Sequence, residues 1–290
     1  MIVRDWGLRF RMMITMFLLG IIYLFFLTIL AAMGVRFGFL LIFAAAMLIL
    51  QYYFSDRVVL WSTGARVVSE NEAPELHDIV RRLTHKARLP MPKIAIVDSR
   101  IPNAFATGRN ANNAVVTVTT GLLRILDRDE LEAVLGHEIS HIKNRDMAVL
   151  TIASLISTLA FFVMRWAMFM GMFGRREGAG SSIAIFGVSA VVWFVSFLLI
   201  RALSRYREFA ADLGSAIITA KPRSLISALK KISGRMEYVS PDERARVEGL
   251  NAFFIIPAVS GKTLISLFST HPPVEKRIER LEKLAEEMGW

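Results

Sequence analysis

The sequence predicts a mostly helical, polytopic membrane protein that also carries a smaller α+β metal-binding domain. Three observations lead there. Of the 290 residues, 54% are hydrophobic and the mean hydropathy is +0.47, more apolar than an ordinary soluble globule. The excess is gathered in four long uncharged blocks, which points to membrane spans instead of one large core. Between the second and third blocks lies His137-Glu138-Ile139-Ser140-His141, a metal-binding spacing in a helical context.

The chain opens with Arg4, Arg9 and Arg11 against a single acid, Asp5. Ile14 to Met33 is then free of charge for 20 residues, enough to cross a hydrocarbon core of ~30 Å. A cleavable leader has an apolar region of only about 7–15 residues. Here a second apolar block follows at once, so the helix is expected to be retained. After Gly34-Val35-Arg36, Phe37 to Phe54 supplies a second span, and residues 1–54 read as a transmembrane hairpin.

Residues 55–147 change character. Leu76, Ile79, Val80, Leu83 and Ala87 give Pro74 to Arg88 one apolar face, and Pro90 and Pro92 stop that helix. Lys93 to Asp98, Asn103 to Gly108 and Ala114 to Thr120 are strand candidates, expected to form a small antiparallel sheet. From Asp127 to Asn144, Leu131, Val134, Leu135 and Ile139 recur at helical spacing, with Asp127 or Asp129 as the N-terminal cap. His137 and His141, four apart, then share one face and can grip one cation. Glu138 sits about 100° round the helix, placed to serve as general base for a metal-activated water. His77 and His85 belong to the earlier amphipathic helix and are read as structural.

Ala148 to Met164 is a third uncharged block, closed by Arg165, which is expected to snorkel to the interface beside Trp166. A glycine-rich polar loop leads to a fourth block, Ser182 to Ile200, so residues 148–200 read as a second hydrophobic hairpin and 201–290 as a return to the polar domain. Lys and Arg are concentrated at the N-terminus, in residues 55–147 and beyond Arg201, which places both termini and the polar domain in the cytoplasm. Arg175 and Arg176 in the connecting loop argue mildly against translocation of the second hairpin.

Two imidazoles in a zinc site call for one more protein ligand, leaving a position for water. If the metal helix ran straight into the third block at Ala148, His141 would stand roughly 10 Å and His137 roughly 16 Å above the membrane boundary. A helix continuing from Ile200 through Ala220 puts Glu208 roughly 12 Å up on the antiparallel neighbour, level with the histidines. An ion pair of Glu208 with Arg205 or Arg207 on a solvated face is the competing reading. Asp212, four residues on, shares the face of Glu208: it either orients a ligand imidazole or is an ordinary surface carboxylate.

Other function classes fit less well. The net charge of +10 and pI of about 10.2 suit nucleic acid in principle, but the basic residues sit beside the apolar blocks, as anchoring against anionic lipid requires. A transporter would place charges inside its spans, and these are almost charge-free. A metal-stabilised scaffold without hydrolysis is the remaining rival. The absence of cysteine excludes disulfides and thiolate metal sites.

HEISHIKNRDM (His137 to Met147), SRYREFAAD (Ser204 to Asp212) and PNAFATG (Pro102 to Gly108), with both hydrophobic hairpins, resemble the HtpX family of membrane-integrated zinc metalloproteases, relatives of the CAAX prenyl-protease. The likeness covers nearly the whole chain. It implies a zincin-like (gluzincin) α+β cytoplasmic peptidase domain holding one zinc ion through His137, His141 and Glu208, with Glu138 catalytic and Asp212 orienting a ligand histidine. It implies that Asn103, Ala104, Phe105 and Ala106 belong to the strand along which an extended substrate lies. His271, in Ser269-Thr270-His271-Pro272-Pro273, resembles a histidine facing the substrate carbonyl oxygen; capping of the final helix, Val274 to Met288, is its alternative. The implied setting is a bacterial inner membrane, the implied substrates misfolded membrane proteins, and the implied context stress response and quality control. By donor type alone, cobalt or manganese would also fit a His₂Glu set.

Overall fold

The computed structural model describes residues 5–33, 59–173, 179–238 and 271–289, with scattered positions between 38 and 57. In chain order the elements are α1 (Trp6–Ala32), β1 (Arg66–Val67), α2 (Pro74–Ala87), β2 (Lys93–Val97), β3 (Ala104–Thr107), β4 (Val115–Thr119) and α3 (Thr120–Ile125). Then follow α4 (Arg128–Lys143), α5 (Asp146–Phe173), α6 (Ala179–Thr219), α7 (Pro222–Glu237) and α8 (Val274–Met288). The chain divides into two compact units, Met1–Tyr52 with Val149–Tyr206, and Tyr53–Ala148 with Arg207–Trp290.

The first unit is built from apolar helices. The Asp5 carboxylate accepts the Leu8 amide at 2.8 Å and so caps α1. Phe26 and Leu30 of α1 pack with Leu159, Ala160 and Val163 of α5 and Val192 of α6. A second cluster joins Leu19, Ala153 and Leu203, near which the Tyr23 hydroxyl donates to the Ala153 carbonyl. Yet Leu24 of α1 is 70% exposed, Ile152 of α5 58% and Ile183 of α6 70%. Large apolar side chains turned outward along three helices make a surface for lipid, not water. Trp6–Ala32, Asp146–Phe169 and Ser182–Thr219 are long and apolar enough to cross a membrane, and the chain is an integral membrane protein. Most of the expected second span, Phe37 to Phe54, lies outside the described residues, and residues 174–178 of the glycine-rich loop lie wholly outside them.

The second unit is organised around α4, which is buried from Glu130 to Ser140 without interruption. Its apolar side, Leu131, Val134, Leu135 and Ile139, joins a core made with Leu76, Ile79 and Leu83 of α2, Val116 and Val118 of β4, and Leu225, Leu229 and Ile232 of α7. Asp127 is the N-cap and completes a capping box with Glu130. The sheet has the order β1-β2-β4-β3 and is mixed. This corrects the antiparallel expectation: β3 runs antiparallel to β4, but β2 pairs with β4 in parallel, Ile94 opposite Val116. After β2 the chain passes the end of β4 before returning as β3 on its far side. There the Gly121 amide donates to the Ser99 carbonyl at 2.8 Å. A Cβ on Gly121 would stand 2.4 Å from the Arg100 carbonyl oxygen, so only glycine admits this crossing.

The structure also breaks the helix expected to run as one rod from the histidines into the third block. α4 ends at Lys143, Arg145 adopts the left-handed conformation at φ 56°, and α5 starts afresh at Asp146. A non-glycine residue at positive φ ends a helix as sharply as a glycine C-cap does.

Candidate metal centre

The polar side of α4 meets α6 through small residues. The Ser215 hydroxyl donates to the Ala133 carbonyl at 2.6 Å. A Cβ on Gly214 would lie 2.4 Å from Ser140 Oγ, and one on Gly136 would lie 2.7 Å from Thr219 Cγ2. This close approach carries Glu208, on the same helix before Gly214, up to the histidines. His137 Nε2 and His141 Nε2 are 3.1 Å apart, and Glu208 oxygens lie 3.5 Å from the first and 3.4 Å from the second. The ion-pair alternative for Glu208 with Arg205 or Arg207 is not what forms: the carboxylate is buried and directed to the imidazoles.

The outward nitrogens of both rings are engaged by acids. His137 Nδ1 lies 2.9 Å from Asp212 Oδ1, and His141 Nδ1 lies 2.6 Å from Asp146 Oδ2. A carboxylate acceptor fixes the proton on Nδ1, which leaves the two Nε2 lone pairs pointing into one spot beside a carboxylate. Such a convergence is repulsive unless a cation occupies it. Tetrahedral zinc with bonds of ~2.0–2.2 Å sets neighbouring donor atoms ~3.3 Å apart, and the three separations here bracket that value. His137, His141 and Glu208 are a zinc-binding triad.

The electrostatics agree. Burial alone pushes both imidazoles towards the neutral form, but the carboxylates of Asp212 and Glu208 outweigh it at His137, and that of Glu208 at His141, so both are raised above the ordinary value. The pocket therefore has a strong appetite for positive charge. Glu138 is 4% exposed, and burial raises its carboxyl above the usual range although the Ala106 amide donates to it. That amide belongs to β3, which ends the sheet order and packs against α4 with all four residues buried. Asn103, just before it, is buried and its amide donates to Thr119 Oγ1 at 2.9 Å. His271 is buried with Nδ1 3.1 Å from Glu208 Oε2; it is not the cap of α8, whose N-cap is Pro273. His77 stays apart, its Nδ1 2.9 Å from the Ala73 carbonyl oxygen.

Sequence reasoning missed three participants. Arg277, wholly buried, binds Asp212 in a two-pronged pair at 2.9 and 2.6 Å and lies 3.5 Å from Glu208 Oε2. Its signal was available: Arg277 falls on the apolar stripe of α8 with Leu281 and Leu284, where an arginine is out of place unless paired. Asp146 and Arg207 are the other two; both lie inside the motifs His137 to Met147 and Ser204 to Asp212, but only the fold brings them together.

A hydrophobic helical unit together with a mixed sheet, a buried HExxH helix and a glutamate ligand on a later helix defines a membrane-integrated zinc metallopeptidase of zincin-like fold. The fold is that of the crystal structure of S. mikatae Ste24p, which superposes with a TM-score of 0.58 over 95% of this chain and 67% of that one, at 20% identity. The sequence model of peptidase family M48 matches residues 70–285. Protease HtpX homolog 2 of Methanosarcina acetivorans is 58% identical over 99% of this chain and 98% of its own, and Protease HtpX homolog of Moorella thermoacetica is 54% identical over 98% and 96%. The chain belongs to peptidase family M48, among its HtpX-like zinc metalloproteases.

Proposed function

We propose that this zinc-dependent endopeptidase cuts membrane proteins, misfolded ones above all, at the cytoplasmic face, with Glu138 as general base. The observation that carries the reading is the buried Glu138 carboxylate beside the triad and within hydrogen-bond reach of a β3 amide. Zinc bound by the triad supplies Lewis acidity, lowering the pKa of a water and polarising the scissile carbonyl. The Glu138 carboxylate takes the proton of the attacking water and returns it to the leaving amine; the burial that raises its proton affinity makes it the stronger base. Asp212 holds the Nδ1 proton of His137, and Arg277 holds Asp212. His271 donates to the oxygen that gains charge as the carbonyl is attacked, a role supported by its place beside Glu208. Asn103, Ala104, Phe105 and Ala106 align the substrate as an added strand, so that the bond to be cut falls next to Glu138.

In this reading residues 55–147 and 201–290 assemble one peptidase domain, and the hydrophobic stretches 1–54 and 148–200 form two hairpins that keep it, with both termini, on the cytoplasmic side of the membrane. The test is Glu138→Gln in the full chain, purified in detergent with zinc and given a membrane-protein substrate. Zinc content should stay at one ion per chain while cleavage falls by ~10²–10⁴-fold. Cleavage at the unaltered rate would remove the assigned base.

A further inference from the structure

We propose that Asp146 is the positioning residue of His141 and that Arg207 locks it in place. The inference rests on the zinc-binding reading of the triad and extends it to the way the second imidazole is held. In an unbroken helix a residue five positions after His141 would point about 140° away from it. The break at Asn144–Arg145 cancels that: α5 begins anew at Asp146, and its carboxylate comes to 2.6 Å from His141 Nδ1. Arg207 closes the arrangement. It is ion-paired with the other Asp146 oxygen and donates to the Asn144 carbonyl at 2.8 Å, so one guanidinium fixes both the acid and the end of α4. Both side chains are buried, Asp146 at 3% and Arg207 at 7% exposure.

The pattern repeats what is seen at the other ring, where Arg277 backs Asp212 and Asp212 backs His137. Each zinc-binding imidazole thus has its own acid, and each acid its own arginine. Arg207 immediately precedes Glu208, so one turn of α6 delivers the third ligand and also clamps the second. Asp146 fixes the Nδ1–H form of His141, leaves Nε2 bare towards the zinc, and raises the basicity of that nitrogen.

The test is zinc affinity by chelator competition on the full chain in detergent, with the thermal midpoint of the chelated protein beside it. Asp146→Ala should weaken zinc ~10–100-fold. Because that change strands Arg207 without its partner, the double variant Asp146→Asn with Arg207→Gln is measured too. It should melt as the chelated parent does, yet bind zinc at least ~10-fold more weakly and show a shifted cobalt(II) spectrum after metal exchange. Zinc binding within about twofold of the parent in both variants overturns the proposal, and so does a double variant that fails to fold, since the pair would then be structural. Glu208→Ala is the control. Should it retain zinc, the triad itself is wrong; should it lose zinc while the Asp146 variants keep it, only the positioning role falls.

Discussion

One helix, α6, shows two opposite ways of satisfying a side chain. From Ser182 to Ile200 it carries no charge, and Ile183, Val191 and Phe194 point outward at 70%, 64% and 45% exposure. From Arg207 to Thr219 the polar groups turn inward instead: Arg207, Glu208, Asp212, Ser215 and Thr219 are all buried. Length and mean hydropathy count Ser182–Thr219 as a single candidate span and so hide this change. The difference teaches what each part is built to meet. Apolar groups facing lipid need no partner, whereas each buried polar group must find one: Glu208 finds three imidazoles, Asp212 an imidazole and a guanidinium.

The largest effect should come from cutting that pairing where it is tightest. Glu208→Ala is expected to take zinc from one ion per chain to nearly none and to end cleavage, while Val191→Ala in the outward-facing part changes neither by more than about twofold. Metal analysis and a cleavage assay on the two purified variants decide it. Equal losses would show that the two parts of α6 do not differ in kind.

A middle-sized effect is expected at the crossing with α4. Gly214→Ala pushes a methyl group to 2.4 Å from Ser140 Oγ and 2.8 Å from its Cβ, so the helices must part or Ser140 must shift. Overpacking of this kind costs about 1–3 kcal/mol. Adding Ser140→Gly should recover most of the thermal midpoint and of the zinc affinity, because it vacates the space the methyl group takes. Failure of the double variant to recover would mean that the small residues do not set the helix spacing.

The smallest effect concerns acid. Burial works to raise the Glu130 carboxyl, but Lys231, Ser227 and the Asp127 amide outweigh it and hold the value below the ordinary 4.5. A carboxylate lowered in the folded state stabilises fully above that ordinary value, and the contribution is lost as pH falls through the folded one. The peptidase unit should therefore lose a little stability below about pH 4.5, and Lys231→Met should flatten that part of the curve. An unchanged slope in melting experiments between pH 3 and 6 would assign the acid sensitivity elsewhere. The uncharged stretch of α6 has nothing to titrate and should contribute no slope at all.

Much of this centre is local and was therefore legible. His137 and His141 need only a helix to meet one cation, and the Asp127–Glu130 capping box announces where that helix starts. Glu208 could be reached because a long helix returning past the first must bring some acid level with it, and the resemblance singled out the same residue. The expected unbroken rod from His141 into the third block does not form, since Arg145 takes a conformation that its own side chain does not favour. The buried contacts of Asp146 and Arg207 hold that break, and neither partner is visible from the other's neighbourhood in the sequence. The sheet shows the same limit. β2, β3 and β4 are readable from the sequence and the two-residue β1 is not, while which strand lies between which depends on the crossing at Gly121.

The sequence by itself determined the helix that carries the two histidines, the apolar blocks and the cation-binding pair, because helix periodicity and hydropathy are properties of short stretches. Only the tertiary structure decided what stands behind each ligand: Arg277 from α8, Arg207 from α6, and Asp146 across a broken turn. The physical reason is that a buried charge chooses its partner by position in space. Residues 65 and 61 positions apart along the chain, as Asp212–Arg277 and Asp146–Arg207 are, become neighbours only when the helices between them have packed.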